Sequence, residues 1–201
     1  MGPSPSAHAV VVTRRHDPSL NEPYRGLRRS QFPQSTLNSG RYPALGMGEE
    51  SVQERHAPNS ICFGCGPANS DGLRIRSFPI ENGLEMTFQT EDCHQAFPGM
   101  INGGIIGTLL DCHGNWTAAM AIMADRGEEE PPCTVTASYT VKLRRPTPHG
   151  VPLHITSQVE SVEGNRAEIR MTLTADGEVC AQGDGLFVAV KEGHPAWHRW
   201  H

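Results

Sequence analysis

The stretch Asn102-Gly-Gly-Ile-Ile-Gly-Thr-Leu-Leu-Asp-Cys-His-Gly-Asn-Trp-Thr-Ala-Ala-Met-Ala-Ile-Met123 decides the fold. Ile105, Ile106, Leu109, Cys112, Trp116, Ala119, Met120 and Met123 recur at steps of three and four. That makes an apolar stripe lasting about six turns of helix at 3.6 residues each. Asn102 suits the N-cap, because its side-chain oxygen can accept from an amide of the first turn. Charges and two prolines between Asp125 and Pro132 end the pattern. A helix this long with an unbroken apolar stripe must lie against something broad.

Working outward, the period changes from 3.6 to 2. Leu84, Met86 and Phe88 alternate as a first strand, and Phe97-Pro98-Gly99 turns the chain into the helix. After it, Thr134 to Arg144 alternates polar and apolar, and three further runs follow: Leu153 to Val159, Ala167 to Leu173, and Val179 to Val190. Gly183-Asp-Gly185 suggests a bulge in the last strand. Gly164-Asn165 and Asp176-Gly177 are hairpin pairs, the second having type I′ composition. The spacing therefore predicts an α+β domain in which an antiparallel sheet of about five strands wraps one long central helix.

The whole chain has 201 residues and a formal charge of −5. Its length fits one domain with some excess at an end. The charge argues against nucleic acid as partner, since phosphate binding needs a clustered positive surface. Apolar runs such as Ala118 to Ala124 are far short of the ~20 residues that span a bilayer. Six dilute Cys favour free thiols in a reducing compartment over a disulfide framework, so a cytoplasmic protein is expected. Residues 1–52 carry Pro, Ser and six Arg without periodicity and read as a flexible arm. Their prolines oppose an amphipathic transit helix, and Pro3 spoils a myristoylation signal. The domain is expected over 53–191, with order setting in near Cys62, and 192–201 reads as a tail loosely packed on a neighbour.

Cys62-x-x-Cys65 is half a zinc site, but no second pair follows at matching spacing. The reading favoured here is a buried structural thiol pair and no metal, with Cys93 and His94 able to complete a site only by accident of folding. The strongest catalytic candidate is Asp111, a carboxylate interrupting the apolar run Leu109-Leu-Asp-Cys112, where burial costs several kcal/mol unless it has partners or a task. Gly103 and Gly104 begin the helix, where amides lack internal partners and no side chain blocks an incoming carbonyl oxygen; these are oxyanion-hole donors. Asn102 can cap the turn or donate to the same oxygen, but a neutral amide is no general base. Thr136 is expected on the polar face of its strand with Thr134, Ser138 and Thr140, where a hydroxyl could hold water. Cys112 is read as core. His113 is read as lining a substrate pocket or an interface, where it could tune Asp111.

From Cys62 to Val190 these residues resemble hotdog-fold acyl-CoA thioesterases of the PaaI-like type. The segment Phe97-Pro-Gly-Met-Ile-Asn-Gly-Gly to Asp111 is similar to the family's His-Gly-Gly helix start followed by its catalytic Asp. Thr136 to Arg145-Pro146 is similar to the strand that carries a Ser or Thr beside that Asp. The opening Cys-x-x-Cys-Gly-x-x-Asn-x-x-Gly-Leu looks like one found in part of the family. Asn102 stands where the family usually has His, a departure also met in some relatives. The resemblance implies acyl-CoA as substrate, coenzyme A phosphates near Arg144 and Arg145, no further cofactor, and sites at a dimer interface, often in a dimer of dimers. The geometry agrees. Nine residues separate Asn102 from Asp111 by ~13.5 Å and half a revolution, so both reach one carbonyl only if two chains meet across a two-fold axis. The expected activity is thioester hydrolysis with Asp111 as base or nucleophile, Asn102, Gly103 and Thr136 assisting, and Gly104, His113, Arg144 and Arg145 contacting substrate. The rivals are a hydratase or dehydratase of acyl thioesters, and a non-catalytic acyl-CoA-binding dimer.

Overall fold

The structure, a computed structural model, describes residues 50–197 and Trp200. The expected arm therefore lies outside the described residues up to position 49. Its last residues belong to the domain: Ser51 and Val52 are buried, and Ser51 caps a short helix α1 (Val52–His56) through a reciprocal pair of bonds with Glu54. Ordered structure thus begins before Cys62, because Ser51-Val-Gln-Glu54 carries the S-x-x-E signature of a helix start.

There follow β1 (Phe78–Ile80), β2 (Gly83–Phe88), a 3-10 turn (Asp92–His94), β3 (Gln95–Phe97), β4 (Met100–Ile101), α2 (Gly103–Arg126), β5 (Thr134–Leu143), β6 (Leu153–Glu163), β7 (Arg166–Ala175) and β8 (Glu178–Ala189). Six strands form one antiparallel sheet in the order β1-β2-β6-β7-β8-β5, and β3 pairs with β4 alone. The expected architecture holds, with β1 added as an edge strand too short to show a period. Helix α2 lies across the concave face and touches β2, β5, β6, β7 and β8.

The core is the stripe read from the sequence. Leu109, Leu110, Trp116 and Ile122 of α2 meet Leu84, Met86, Leu153, Ile155, Ile169, Met171, Leu173 and Phe187 of the sheet, all essentially inaccessible. Closeness of approach explains Gly114: a Cβ there would stand 2.4 Å from Met171 Sδ and 2.9 Å from Phe187 Cζ. The hairpins also follow their turn residues. Asp176 and Gly177 both have positive φ, as type I′ requires, whereas at the other turn only Gly164 does.

Two local expectations need correction. Gly183 and Gly185 do not form a bulge; they pair in register with Val141 and Tyr139. The β5/β8 shift lies instead between Thr136 and Ser138, and a second shift separates Leu173 from Thr174 on β7. At Trp200 the tail packs on its own chain. Trp200 is buried and stacks on Trp116 of its own chain, ring centroids 4.2 Å apart and planes 12° from parallel. Apolar surface at Trp116 is close enough to hold the ring within one protomer.

Candidate active site

The bulge at Ala137 sets which side chains of β5 face the helix. In a regular strand Thr134, Thr136, Ser138 and Thr140 would share a face. The extra residue reverses the alternation, so Thr134 and Thr136 turn inward, and so do Tyr139 and Leu143 beyond it. Thr134 donates to Asn115 Oδ1 at 2.8 Å. Tyr139 Oη and Leu143 Cδ1 are the nearest atoms to Cβ positions built on Gly107 and Gly103, at 3.5 and 3.2 Å. Ser138 lies on the opposite surface with Arg170 and Asp184. The expected common polar face is thus broken in two, and Thr136 reaches the helix because of the break.

Thr136 Oγ1 donates to Asp111 Oδ1 at 2.6 Å. The direction is fixed, since an ionised carboxylate only accepts. Asp111 is half-buried and Thr136 likewise, so the pair sits at an opening rather than sealed in the core. The hydroxyl oxygen keeps its acceptor capacity beside the carboxylate. Together they form a cradle able to hold one water.

Asn102, Gly103 and Gly104 at the tip of α2 are exposed. Asn102 Oδ1 accepts from Gly104 N–H at 2.7 Å, the expected cap. This engages one of the two amides assigned to a substrate carbonyl. Gly103 N–H has no acceptor among the described residues. Leu143 places the end of β5 against this tip, so Arg144 and Arg145 follow within two residues of it. Arg144 donates to Gln182 Oε1 at 3.0 Å, and Arg145 is paired with Glu178, both groups about 60% exposed. The chain therefore gathers Gly103, Leu143, Arg144 and Arg145 at one end of the helix and joins Asp111 to Thr136 further along. A cleft of about 560 Å³ at the far end of α2, between Arg126, Glu130, Cys133, Asn165 and Trp197, includes none of these residues.

His113 stands apart from them. It is fully buried, its Nδ1 2.9 Å from Ser77 Oγ and its Nε2 3.1 Å from the Leu84 carbonyl oxygen. A carbonyl only accepts, so Nε2 carries the proton and Nδ1 accepts from Ser77. Burial holds its pKa down at about 4. The placement expected for it at the acyl pocket gives way to a structural one, because one residue's step along a helix turns the side chain ~100° away from Asp111. His94 is also buried, with Nδ1 accepting from Glu91 N–H at 2.9 Å.

Sequence reasoning left Cys112 in the core without a partner. In the structure its Sγ lies 3.9 Å from Cys62 Sγ, and the sulfurs of Cys62, Cys65 and Cys112 all lie within 4.8 Å of one another. The signal was the phase of Cys112 on α2, but which loop would cover that face was not legible.

No family model and no curated protein matches the chain. Solved structures do. A thioesterase superfamily protein from Shewanella loihica PV-4 is 29% identical with TM-score 0.51, over 62% of this chain and 98% of its own. The fold is the hotdog fold of the thioesterase superfamily. The E. coli PaaI protein from the phenylacetic acid degradation operon aligns at 16% identity and TM-score 0.51, over 59% of this chain and 81% of its own. A phenylacetic acid degradation-related putative thioesterase from Ralstonia eutropha JMP134 aligns at 20% and 0.51, over 61% and 90%. At such identities these two hotdog proteins establish shape alone. Among the described residues, no helix is long and apolar enough to cross a membrane.

Proposed function

We propose that the chain hydrolyses an acyl-CoA thioester at a site shared by two copies, with Asp111 as its reactive carboxylate. The observation that carries this reading is the Thr136–Asp111 pair at 2.6 Å, half-exposed in the middle of the one long helix. The carbonyl of the thioester takes the N–H of Gly103, where the helix dipole and an unengaged amide stabilise the oxygen as it becomes an anion. Asp111 either removes a proton from a water held between itself and Thr136, or attacks the carbonyl carbon itself. The C–S bond breaks, the thiolate of coenzyme A leaves and is protonated, and water supplies the oxygen of the acid.

Within one chain Gly103 and Asp111 are eight residues apart, or ~12 Å along the axis, too far for one carbonyl group to meet both. A second copy removes the difficulty. β5 is a ten-residue strand at the edge of the sheet, with Tyr139 and Leu143 45% and 56% exposed. Such an edge is a template for pairing. A two-fold axis beside it brings the tip of one protomer's α2 toward Asp111 of its partner, making a homodimer the smallest active unit and leaving a dimer of dimers open to the same surfaces. Arg144 and Arg145, beside the tip, serve the phosphates of coenzyme A, and Gly104 contributes by the close approach it allows. A hydratase would call for an imidazole base in the cleft, whereas His113 is enclosed in the core and position 102 is Asn.

Coenzyme A release from a panel of acyl-CoAs tests the proposal. Wild type is expected to turn over at least one member, and Asp111→Asn to lose about 100-fold or more in kcat, the scale of a lost general base. Equal rates in the two proteins would remove Asp111 from the mechanism, and tight binding of acyl-CoAs that stay intact for hours would replace hydrolysis by a binding role.

A further inference from the structure

The three sulfurs gathered against α2 lie outside the catalytic constellation. We propose that Cys62, Cys65 and Cys112 bind one zinc ion per chain as three thiolates, with the fourth position taken by water or another exogenous ligand.

The distances fit. A Zn–S bond of about 2.3 Å places tetrahedral sulfurs ~3.8 Å apart. One pair here is at 3.9 Å and all three lie within 4.8 Å, so an ion needs separations to close by at most about 1 Å. A disulfide between any two would need the sulfurs to close to about 2 Å and would leave the third thiol idle.

The surroundings are built for thiolates. The backbone amides of Gly64 and Cys65 face the Cys62 sulfur, the arrangement that hydrogen-bonds a charged sulfur in a tight Cys-x-x-Cys turn. The turn closes with Gly66 N–H donating to the Cys62 carbonyl at 2.8 Å. A Cβ on Gly66 would fall 2.4 Å from the Ser60 carbonyl oxygen, and one on Gly64 would fall 2.3 Å from Cys112 Sγ. Glycine at these two positions lets the turn fold back on itself and lie against the helix. Independently, the indole N–H of Trp116 faces Cys65 Sγ and finds no hydrogen-bond partner among the described residues, although Trp116 is only 1% exposed. A buried N–H without a partner is costly, and a metal-bound thiolate is the acceptor it lacks. Three thiolates around a divalent ion leave one excess negative charge, which these three N–H groups offset.

The site also has work to do in the fold. Residues 57–77 form neither helix nor strand, an unusually long irregular segment for a compact domain. An ion shared by Cys62, Cys65 and Cys112 would fasten its first half to α2. No fourth His, Cys, Asp or Glu among the described residues joins the group, and Cys62 is only half-buried, which leaves room for an exogenous fourth ligand.

The test is metal content of the full chain, purified under reducing conditions without a metal-affinity step, followed by chelation and titration with cobalt(II). Wild type and Cys93→Ser, which changes an exposed thiol outside the cluster, are expected to carry about one zinc per chain. Both should give the thiolate-to-cobalt charge-transfer bands of a tetrahedral site. Cys65→Ser is expected to retain less than a tenth of the zinc. Because buried variants can misfold, alkylation of the wild type provides a second reading: bound zinc should shield these three cysteines, identified by mass spectrometry, and leave Cys93 reactive. Failure of reduced wild type to take up zinc or cobalt, a disulfide within the trio, or undiminished metal in Cys65→Ser would each overturn the assignment.

Discussion

Lowering the pH from 7.5 to 5.0 should destabilise the protein by about 2 kcal/mol through His113 alone. Its pKa is about 4 in the folded chain against 6.5 as a free side chain, because full burial opposes the charged ring. A base with a depressed folded-state pKa binds more protons unfolded than folded, so stability rises with pH between the two values. The contribution is intact above pH 6.5 and is lost as pH falls through 6.5 toward 4. At about 1.4 kcal/mol per unit the whole difference comes to about 3–4 kcal/mol, of which about 2 is gone by pH 5. The geometry gives the reason: the Leu84 carbonyl fixes the proton of the neutral ring on Nε2, Ser77 Oγ–H donates to Nδ1, and protonating Nδ1 takes away that hydroxyl's acceptor inside a fully buried site. Urea unfolding at fixed protein concentration should show the loss in wild type. His113→Gln, which keeps an N–H but does not titrate, should show a slope smaller by that amount. Identical pH slopes in the two proteins would refute the argument.

Thr136→Val removes the hydroxyl at nearly constant volume, and a hydrogen bond to a charged group is worth about 1.5–3 kcal/mol. kcat on a responsive acyl-CoA should fall about 10- to 100-fold with KM little changed, and Thr136→Ser should restore most of it; an unaffected Val variant would detach Thr136 from the chemistry. Arg144→Ala with Arg145→Ala should raise KM for acyl-CoA but not for the matching acyl-pantetheine, which lacks the nucleotide phosphates, and a parallel rise for both would locate those phosphates elsewhere. Gly114→Ala gains about 1 kcal/mol of helix propensity but forces a methyl against Met171 and Phe187, an overpacking that costs about 1–3 kcal/mol. A lowered urea midpoint is expected, and a raised one would show that the helix does not press on the sheet there.

Much of the fold was legible because α2 and the long strands carry unbroken periods. The β5 bulge was not, since Thr134 to Arg144 alternates without interruption in sequence and the switch of face appears only when β5 is laid against Leu186 and Phe187. The same alternation concealed why Thr136, nominally on the solvent side, reaches Asp111. Ser51 and Val52 fell within what read as an arm because one helical turn is shorter than any period. Asn102 and Asp111 were legible for the opposite reason: each is a polar residue at a place where local physics gives it a definite task, one at a helix start and the other in an apolar run.

The residues Asp111-Cys-His-Gly114 show why a cluster in sequence need not be one in space. Each successive side chain is turned about 100° from the last. Asp111 meets Thr136 of β5, Cys112 meets Cys62 and the backbone of Gly64, His113 meets Ser77 and Leu84, and Gly114 admits Met171 and Phe187. Four neighbours on four sides are what a helix wrapped by a sheet and a long loop must have, so carboxylate, thiol and imidazole cannot combine into one catalytic group. Between Leu109 and Ala119 every residue except Asp111 is buried. The wrapping is incomplete at one place, the open edge at β5. A substrate reaching the middle of α2 therefore meets the carboxylate and the Thr136 hydroxyl there, while the thiols and the imidazole face parts of the fold that hold the helix in place.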